Sequence, residues 1–401
     1  MRHNNTILVL FFLSSSWYFT CIATALIKSL VLATYFDWAY SYIVQHLGRL
    51  RIYSPFWQLA LAQGVCIAVG TVVAYHYLQR RHGSKSDDKS EDADGASLRL
   101  PNIDHTITLP DGRDLSYAQY GVENGPSVLH VHGLPGSRLE GALYHDAAVK
   151  LSLRALTIDG PGVGLSSPHI GRSAAIFACD VQCLVDHLGL KRWAIMGVSG
   201  GGPYALACAQ SQPAGLRAVA MVATKGPHDI GRDGMSTGNR VLFYCFEHYP
   251  WLARLIGRFS MRQRALLTED NPVEAMVKLH KSLLPQALKP PPKELEVLLD
   301  EKTMRMFWRS SCEFSKQGPD AFCEEGRIMT SDRDLRLQDI GDKLPIRSWY
   351  GKEDHNVGPR MGTKIKARLG GRATLWMEDA GHVWLVVITA EDVLRHLKQF
   401  L

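Results

Sequence analysis

The chain has 401 residues, 46% of them apolar and 21% charged, which excludes a globally disordered polypeptide and leaves room for one large domain with additions. A formal charge of +6 is small for this length and gives no reason to expect a nucleic-acid partner. The eight cysteines show no paired C-x-x-C or C…H spacing, so neither a metal site nor a disulfide framework is expected.

Residues 1–82 read as a hydrophobic membrane-anchor region. In 7–27 an apolar run from Ile7 to Leu13 passes into an aromatic stretch, and two readings stay open. One is a signal peptide with a cleavage-like Ala23-Thr24-Ala25; the other is a first membrane helix. Residues 56–78 carry no charge before Arg80 and are long enough to cross a hydrocarbon core of about 30 Å. The basic Arg80-Arg81-His82 cluster with Lys85 places the large C-terminal part of the chain on the cytosolic face. Residues 83–97, rich in Ser, Asp, Lys and Gly, cannot bury a core and read as a flexible linker.

A folded domain is expected over 98–401. His105–Leu109 and Leu115–Tyr120 alternate around the turn signal Pro110-Asp111-Gly112 and predict an antiparallel hairpin. Strands come next at Ser127–His132, Arg154–Asp159, Trp193–Met196 and Leu216–Ala223, with helices near 139–151, 174–188 and 203–209. Residues 225–343 are helical in pattern and break at Pro290-Pro291-Pro292; an insertion of that length between two strands reads as a lid. Strand–helix alternation then resumes, with strands at 346–350 and 373–377 and helices near 361–369 and 383–397. Alternation of this kind predicts an α/β fold, a mainly parallel sheet covered by helices on both faces.

The chemistry centres on Gly197-Val198-Ser199-Gly200-Gly201, between an apolar strand and a helix. Such a G-x-S-x-G turn lifts a serine hydroxyl above the sheet edge. A serine needs a base, and the base an orienting acid. Two later strand-end loops offer them: Gly351-Lys352-Glu353-Asp354 and Glu378-Asp379-Ala380-Gly381-His382. Ser199, His382 and Asp354 are the candidate catalytic residues, with Glu353 and Asp229 as rivals to Asp354. The backbone N–H groups of Leu134 and Gly200 are the candidate oxyanion hole, and His132 is expected to brace the loop that carries Leu134.

Together, His132-Gly133-Leu134-Pro135-Gly136, Asp159-Gly160-Pro161-Gly162-Val163-Gly164-Leu165-Ser166, the turn at Ser199, the Gly351–Asp354 loop and Gly381-His382 resemble the α/β-hydrolase superfamily. The resemblance covers the chain from about Leu98 onward. It is similar to the lidded branch with esterase-like and proline iminopeptidase-like members, fungal proteins among them. It implies a cofactor-free serine hydrolase acting on a small-molecule ester, thioester or lactone, with fungal secondary metabolism as one context. Serine at the turn argues against the epoxide hydrolases of this branch, which use aspartate. Peptide or amide cleavage, C–C hydrolysis, acyl transfer and a non-catalytic binding role remain as alternatives on the same fold. Phe243, Tyr244, Trp251, Phe307 and Trp308 of the lid are candidates for an apolar acyl pocket or, equally, for lid packing. Oligomeric state is not legible.

Overall fold

The computed structural model describes residues 104–267 and 292–401. The two expected hydrophobic segments at 7–27 and 56–78, the linker at 83–97, and Pro290 and Pro291 lie outside the described residues. No helix among the described residues is long and apolar enough to cross a membrane.

The hairpin forms as β1 (Asp104–Thr108) and β2 (Asp114–Gly121), antiparallel about the Pro110-Asp111-Gly112 turn. β3 (Ser127–Val131) comes next. The helix expected near 139–151 opens instead as a 3-10 helix, Arg138–Tyr144, and only His145–Lys150 (α1) is α-helical. The Ser137 hydroxyl accepts from the Leu139 N–H two residues on, a tight local cap suited to a 3-10 start. Then come β4 (Arg154–Ile158), α2 (Ala174–His187), β5 (Trp193–Val198), α3 (Gly202–Ser211) and β6 (Leu216–Val222).

Between β6 and the next strand lie α4 (Thr237–His248), α5 (Pro250–Leu267), α6 (Pro292–Leu299), α7 (Glu301–Phe314) and α8 (Asp320–Ser331). The chain returns to the sheet with β7 (Ile346–Gly351), α9 (Pro359–Leu369) and β8 (Ala373–Glu378). The single helix expected over 383–397 is two: α10 (His382–Ile388) and α11 (Ala390–Lys398). The break falls at buried Thr389, whose hydroxyl donates back to the Leu385 carbonyl at 2.7 Å in competition with the backbone ladder.

The eight strands form one sheet in the order β1-β2-β4-β3-β5-β6-β7-β8. β2 runs antiparallel to β1 and β4, and every other neighbouring pair is parallel. Because the central strands are covered on both faces, they are largely apolar rather than alternating. On one face Leu129, Ile195 and Val219 meet Phe177 of α2, Leu206 of α3 and Ile365 of α9. On the other, Val128, Ala194 and Ala220 share a core with Ala148 of α1 and Val393, Leu394 and Leu397 of α11. Burying one such leucine or phenylalanine contributes roughly 1.5–3 kcal/mol, so both layers are needed to hold the sheet.

Cys183 packs against the first of these cores, whereas Cys179 is exposed.

Candidate active site

Parallel strands collect their C-terminal ends along one edge, and loops leaving that edge can converge. β5 ends directly in Ser199. This residue adopts φ = 50°, a left-handed conformation costly for a residue with a side chain. The turn is closed so tightly that a methyl group added at Gly201 would lie 2.3 Å from the Val131 carbonyl oxygen of β3. Only glycine fits there, and α3 can start at once beneath the hydroxyl.

β7 delivers Asp354 and β8 delivers His382. The His382 Nδ1–H donates to Asp354 Oδ2 at 2.7 Å, and the Ser199 hydroxyl donates to His382 Nε2 at 3.1 Å. With the carboxylate on Nδ1, the imidazole must present Nε2 as the acceptor. Asp354 is itself fixed: its Oδ1 accepts from the backbone N–H groups of Asn356 and Val357 at 2.7 and 2.8 Å, and it is 1% exposed. Neither rival acid competes. Glu353 is exposed, and Asp229 is half-exposed and bound to Arg368 of α9.

The electrostatics reflect this arrangement. Burial disfavours the charged imidazolium of His382, but Asp354 opposes it, helped by Glu294 and Glu140, and the pKa stands above the ordinary histidine value. Glu294 carries no motif that would mark it in the sequence. It lies on α6 of the inserted segment, and its two oxygens accept the N–H groups of Val383 and Trp384 at 2.8 and 2.9 Å. These are orphan donors at the start of α10, the helix that begins with His382. A methyl group at Gly381 would fall 2.5 Å from Glu294 Oε2, which explains why glycine precedes this histidine.

The loop after β3 closes the site from the other side. A methyl added at Gly200 would sit 3.3 Å from the Leu134 nitrogen, so the backbones at Leu134 and Gly200 run side by side next to Ser199. The loop is held at two points. Gly133 N–H donates to buried Glu140 at 2.9 Å. His132 accepts from Gly160 N–H through Nε2 at 3.2 Å, leaving Nδ1–H to donate to the Gly133 carbonyl at 2.8 Å. His132 is thus spent on bracing. Burial raises the Glu140 pKa, with His132 and the Gly133 N–H opposing.

A cavity of about 260 Å³ opens beside Ser199 and His382. Of the five candidate lid aromatics, Phe243 and Phe307 line it, while Tyr244 and Trp251 point to solvent and Trp308 does not line it. Its walls also include Phe246, Met304 and Met329, none of which belongs to a recognisable motif. Among the described residues no group of His, Cys, Asp and Glu could hold a metal ion.

This strand order, and a serine at the turn after β5 facing an acid after β7 and a histidine after β8, point to one family, and residues 126–386 match the alpha/beta hydrolase fold. The chain belongs to the α/β hydrolases. This α/β hydrolase is 32% identical over 112 residues to a proline iminopeptidase of Xylella fastidiosa, a match covering 27% of this chain and 35% of the relative. It is 28% identical over 136 residues to a non-heme chloroperoxidase of Streptomyces lividans, covering 32% of this chain and 49% of the relative. The chain thus spans about a third to a half of these curated relatives' length. Among solved structures, an α/β hydrolase fold protein of Nakamurella multipartita superposes with a TM-score of 0.54 at 22% identity, covering 74% of this chain and 98% of that one. An esterase of Exiguobacterium antarcticum superposes with a TM-score of 0.52 at 16% identity, covering 73% and 98%. These likenesses are of fold.

Proposed function

We propose that the protein is a serine hydrolase that cleaves an ester, thioester or lactone-type acyl bond through an acyl-enzyme. The observation that carries this reading is the hydrogen-bonded chain from the Ser199 hydroxyl through His382 to Asp354. Ser199 Oγ attacks the acyl carbon as His382 Nε2 takes its proton. Asp354 holds the ring and offsets the imidazolium charge. The oxyanion that forms is met by the N–H groups of Leu134 and Gly200, where loss of one donor costs about 3 kcal/mol in barrier. The tetrahedral species collapses as His382 returns the proton to the leaving alcohol or thiol. Water then attacks the acyl-serine, giving its proton to His382, and release of the acid restores the Ser199 hydroxyl.

Likeness to proline iminopeptidases supports a second reading, aminopeptidase action. A substrate amine would need an acidic partner. Glu140 is the one carboxylate among the described residues lining the cavity, and it is engaged with Gly133. Glu294 spends both oxygens on α10. The acyl-ester reading is therefore preferred. A fluorophosphonate should label the wild type and fail on Ser199→Ala; persistent labelling would move the nucleophile elsewhere. Turnover of p-nitrophenyl esters without turnover of prolyl-anilide separates the two readings, and the converse result reverses the preference.

We further propose that the 56–78 segment tethers the hydrolase domain to a membrane, with that domain on the cytosolic face. The support is its charge-free apolar length and the basic residues immediately after it.

A further inference from the structure

Most of the cavity wall beside Ser199 is apolar, and most polar groups on it are already committed. Glu140 holds Gly133, while the Asn239 amide donates to Asn356 Oδ1 at 3.1 Å. Lys225 and Ser260 are different. Lys225 lies just after β6, and its own backbone N–H donates to the Ser199 carbonyl at 2.9 Å, which ties its backbone to that of the serine. The residue is 2% exposed, and its ammonium donates to the carbonyls of Gly226 at 3.1 Å and Pro227 at 3.4 Å. An ammonium carries three N–H bonds, so two carbonyls leave one to place. No carboxylate among the described residues forms an ion pair with it; nearby Asp229 is bound to Arg368. The Ser260 hydroxyl, on α5 at the same cavity, is buried without a hydrogen-bond partner among the described residues.

A buried cation whose partners among the described residues are two carbonyls has lost hydration that they do not replace. Burial accordingly pulls the Lys225 pKa down to about 7; Arg232 adds to this and Asp229 opposes it. An anion entering the cavity would reverse that cost. A phosphate offers more oxygens than one ammonium and one hydroxyl can satisfy, and no arginine is among the residues lining the cavity. A carboxylate at the end of an apolar chain suits both the donors and the walls.

We propose that Lys225 is a specificity-determining residue that binds a carboxylate carried on the substrate's acyl chain, the Ser260 hydroxyl offering a further donor, so that the substrate class is esters of carboxy-substituted apolar acids. This rests on the acyl-ester reading of Ser199. It also disfavours aminoacyl substrates, because a buried lysine repels an ammonium.

The test compares p-nitrophenyl monoesters of succinic through suberic acid with p-nitrophenyl esters of the straight-chain monoacids of equal length. The wild type should favour the carboxylate ester at its best chain length by about tenfold or more in kcat/KM, the size of one charge-assisted hydrogen bond. Lys225→Met should reverse that preference and Lys225→Gln should reduce it. A wild type with no preference at any length, or a folded Lys225→Met that keeps it, overturns the proposal. Calorimetric binding of monomethyl adipate against methyl hexanoate separates this failure from failure of the Ser199 reading. Selective binding lost in Lys225→Met, with no ester turned over, upholds Lys225 and removes the nucleophile. Equal binding of the two ligands removes Lys225 whatever the turnover.

Discussion

Glu294 belongs to the inserted helical segment, yet its effect falls on His382. By accepting the first two N–H groups after the histidine it anchors the N-terminus of a short helix and adds negative charge close to the imidazole. That charge is one of the causes that hold the His382 pKa above its ordinary value of 6.5. In the proposed mechanism the base acts in its neutral form, so activity rises as pH climbs through this pKa. Removing the charge lowers the pKa, and more histidine is then neutral at low pH. Glu294→Gln should therefore shift the acidic limb of the kcat/KM profile to lower pH by a few tenths to about one unit. Glu294→Ala, which leaves two donors unsatisfied, should also cost about 1–3 kcal/mol in thermal or urea unfolding. An unmoved limb in Glu294→Gln would confine Glu294 to a structural part. Ser199, Asp354 and His382 are legible in the sequence because each ends a strand–loop unit, and the chain order of those units matches their meeting at one sheet edge. Glu294 and Lys225 are not. Glu294 acts on groups 89 and 90 residues away, and Lys225 sits in no motif; what marks each is burial, which local spacing does not encode.

At the scale of elements, the central strands are legible because burial on both faces leaves runs such as Trp193–Met196 with no polar side chain to blur them. Helix ends are less so. The 3-10 start after Ser137 and the break at Thr389 both come from side-chain hydroxyls that bond local backbone groups, a choice that apolar periodicity does not reveal. Packing within the insertion is silent for a similar reason. α8 meets α4 at a bare point, where a methyl added at Gly326 would lie 2.1 Å from the ring of Phe246. Phe246 is 3% exposed, packs edge-on against Phe243 and lines the cavity, so it has little room to retreat. Gly326→Ala removes a flexible residue from a helix, which alone would stabilise by up to about 1 kcal/mol. The clash is the larger effect: overpacking of this kind costs about 1–3 kcal/mol. The variant should melt at lower temperature, and because Phe246 is pushed toward the cavity, KM for longer acyl esters should rise more than KM for acetate esters. A variant more stable than wild type would show that the two helices are free to part.

For the whole molecule, the question is how much of the chain the chemistry requires. Among the described residues the sheet begins at β1, and this edge strand is tied inward by charge. Arg138, 4% exposed, bonds Asp104 of β1 at 2.8 Å, Asp159 after β4 at 2.9 Å and Glu313 of α7 at 2.8 Å. One buried guanidinium thus links the first strand, the sheet edge and the insertion. Breaking such a network by removing one partner costs several kcal/mol, because the remaining charges stay buried. Ser199, His382, Asp354, Leu134 and Gly200 all follow β1 in the chain. A chain beginning at Leu98 keeps Asp104 and should fold, stay in the supernatant after ultracentrifugation, and hydrolyse p-nitrophenyl esters with kcat/KM within about twofold of the full chain. The full chain should sediment with membranes and be released by detergent but not by high salt or alkaline carbonate, since apolar burial is insensitive to ionic screening. Release by salt alone would replace the proposed spanning segment with an electrostatic contact through Arg80, Arg81 and Lys85. A soluble but inactive shortened chain would instead make the first hundred residues part of the catalytic unit.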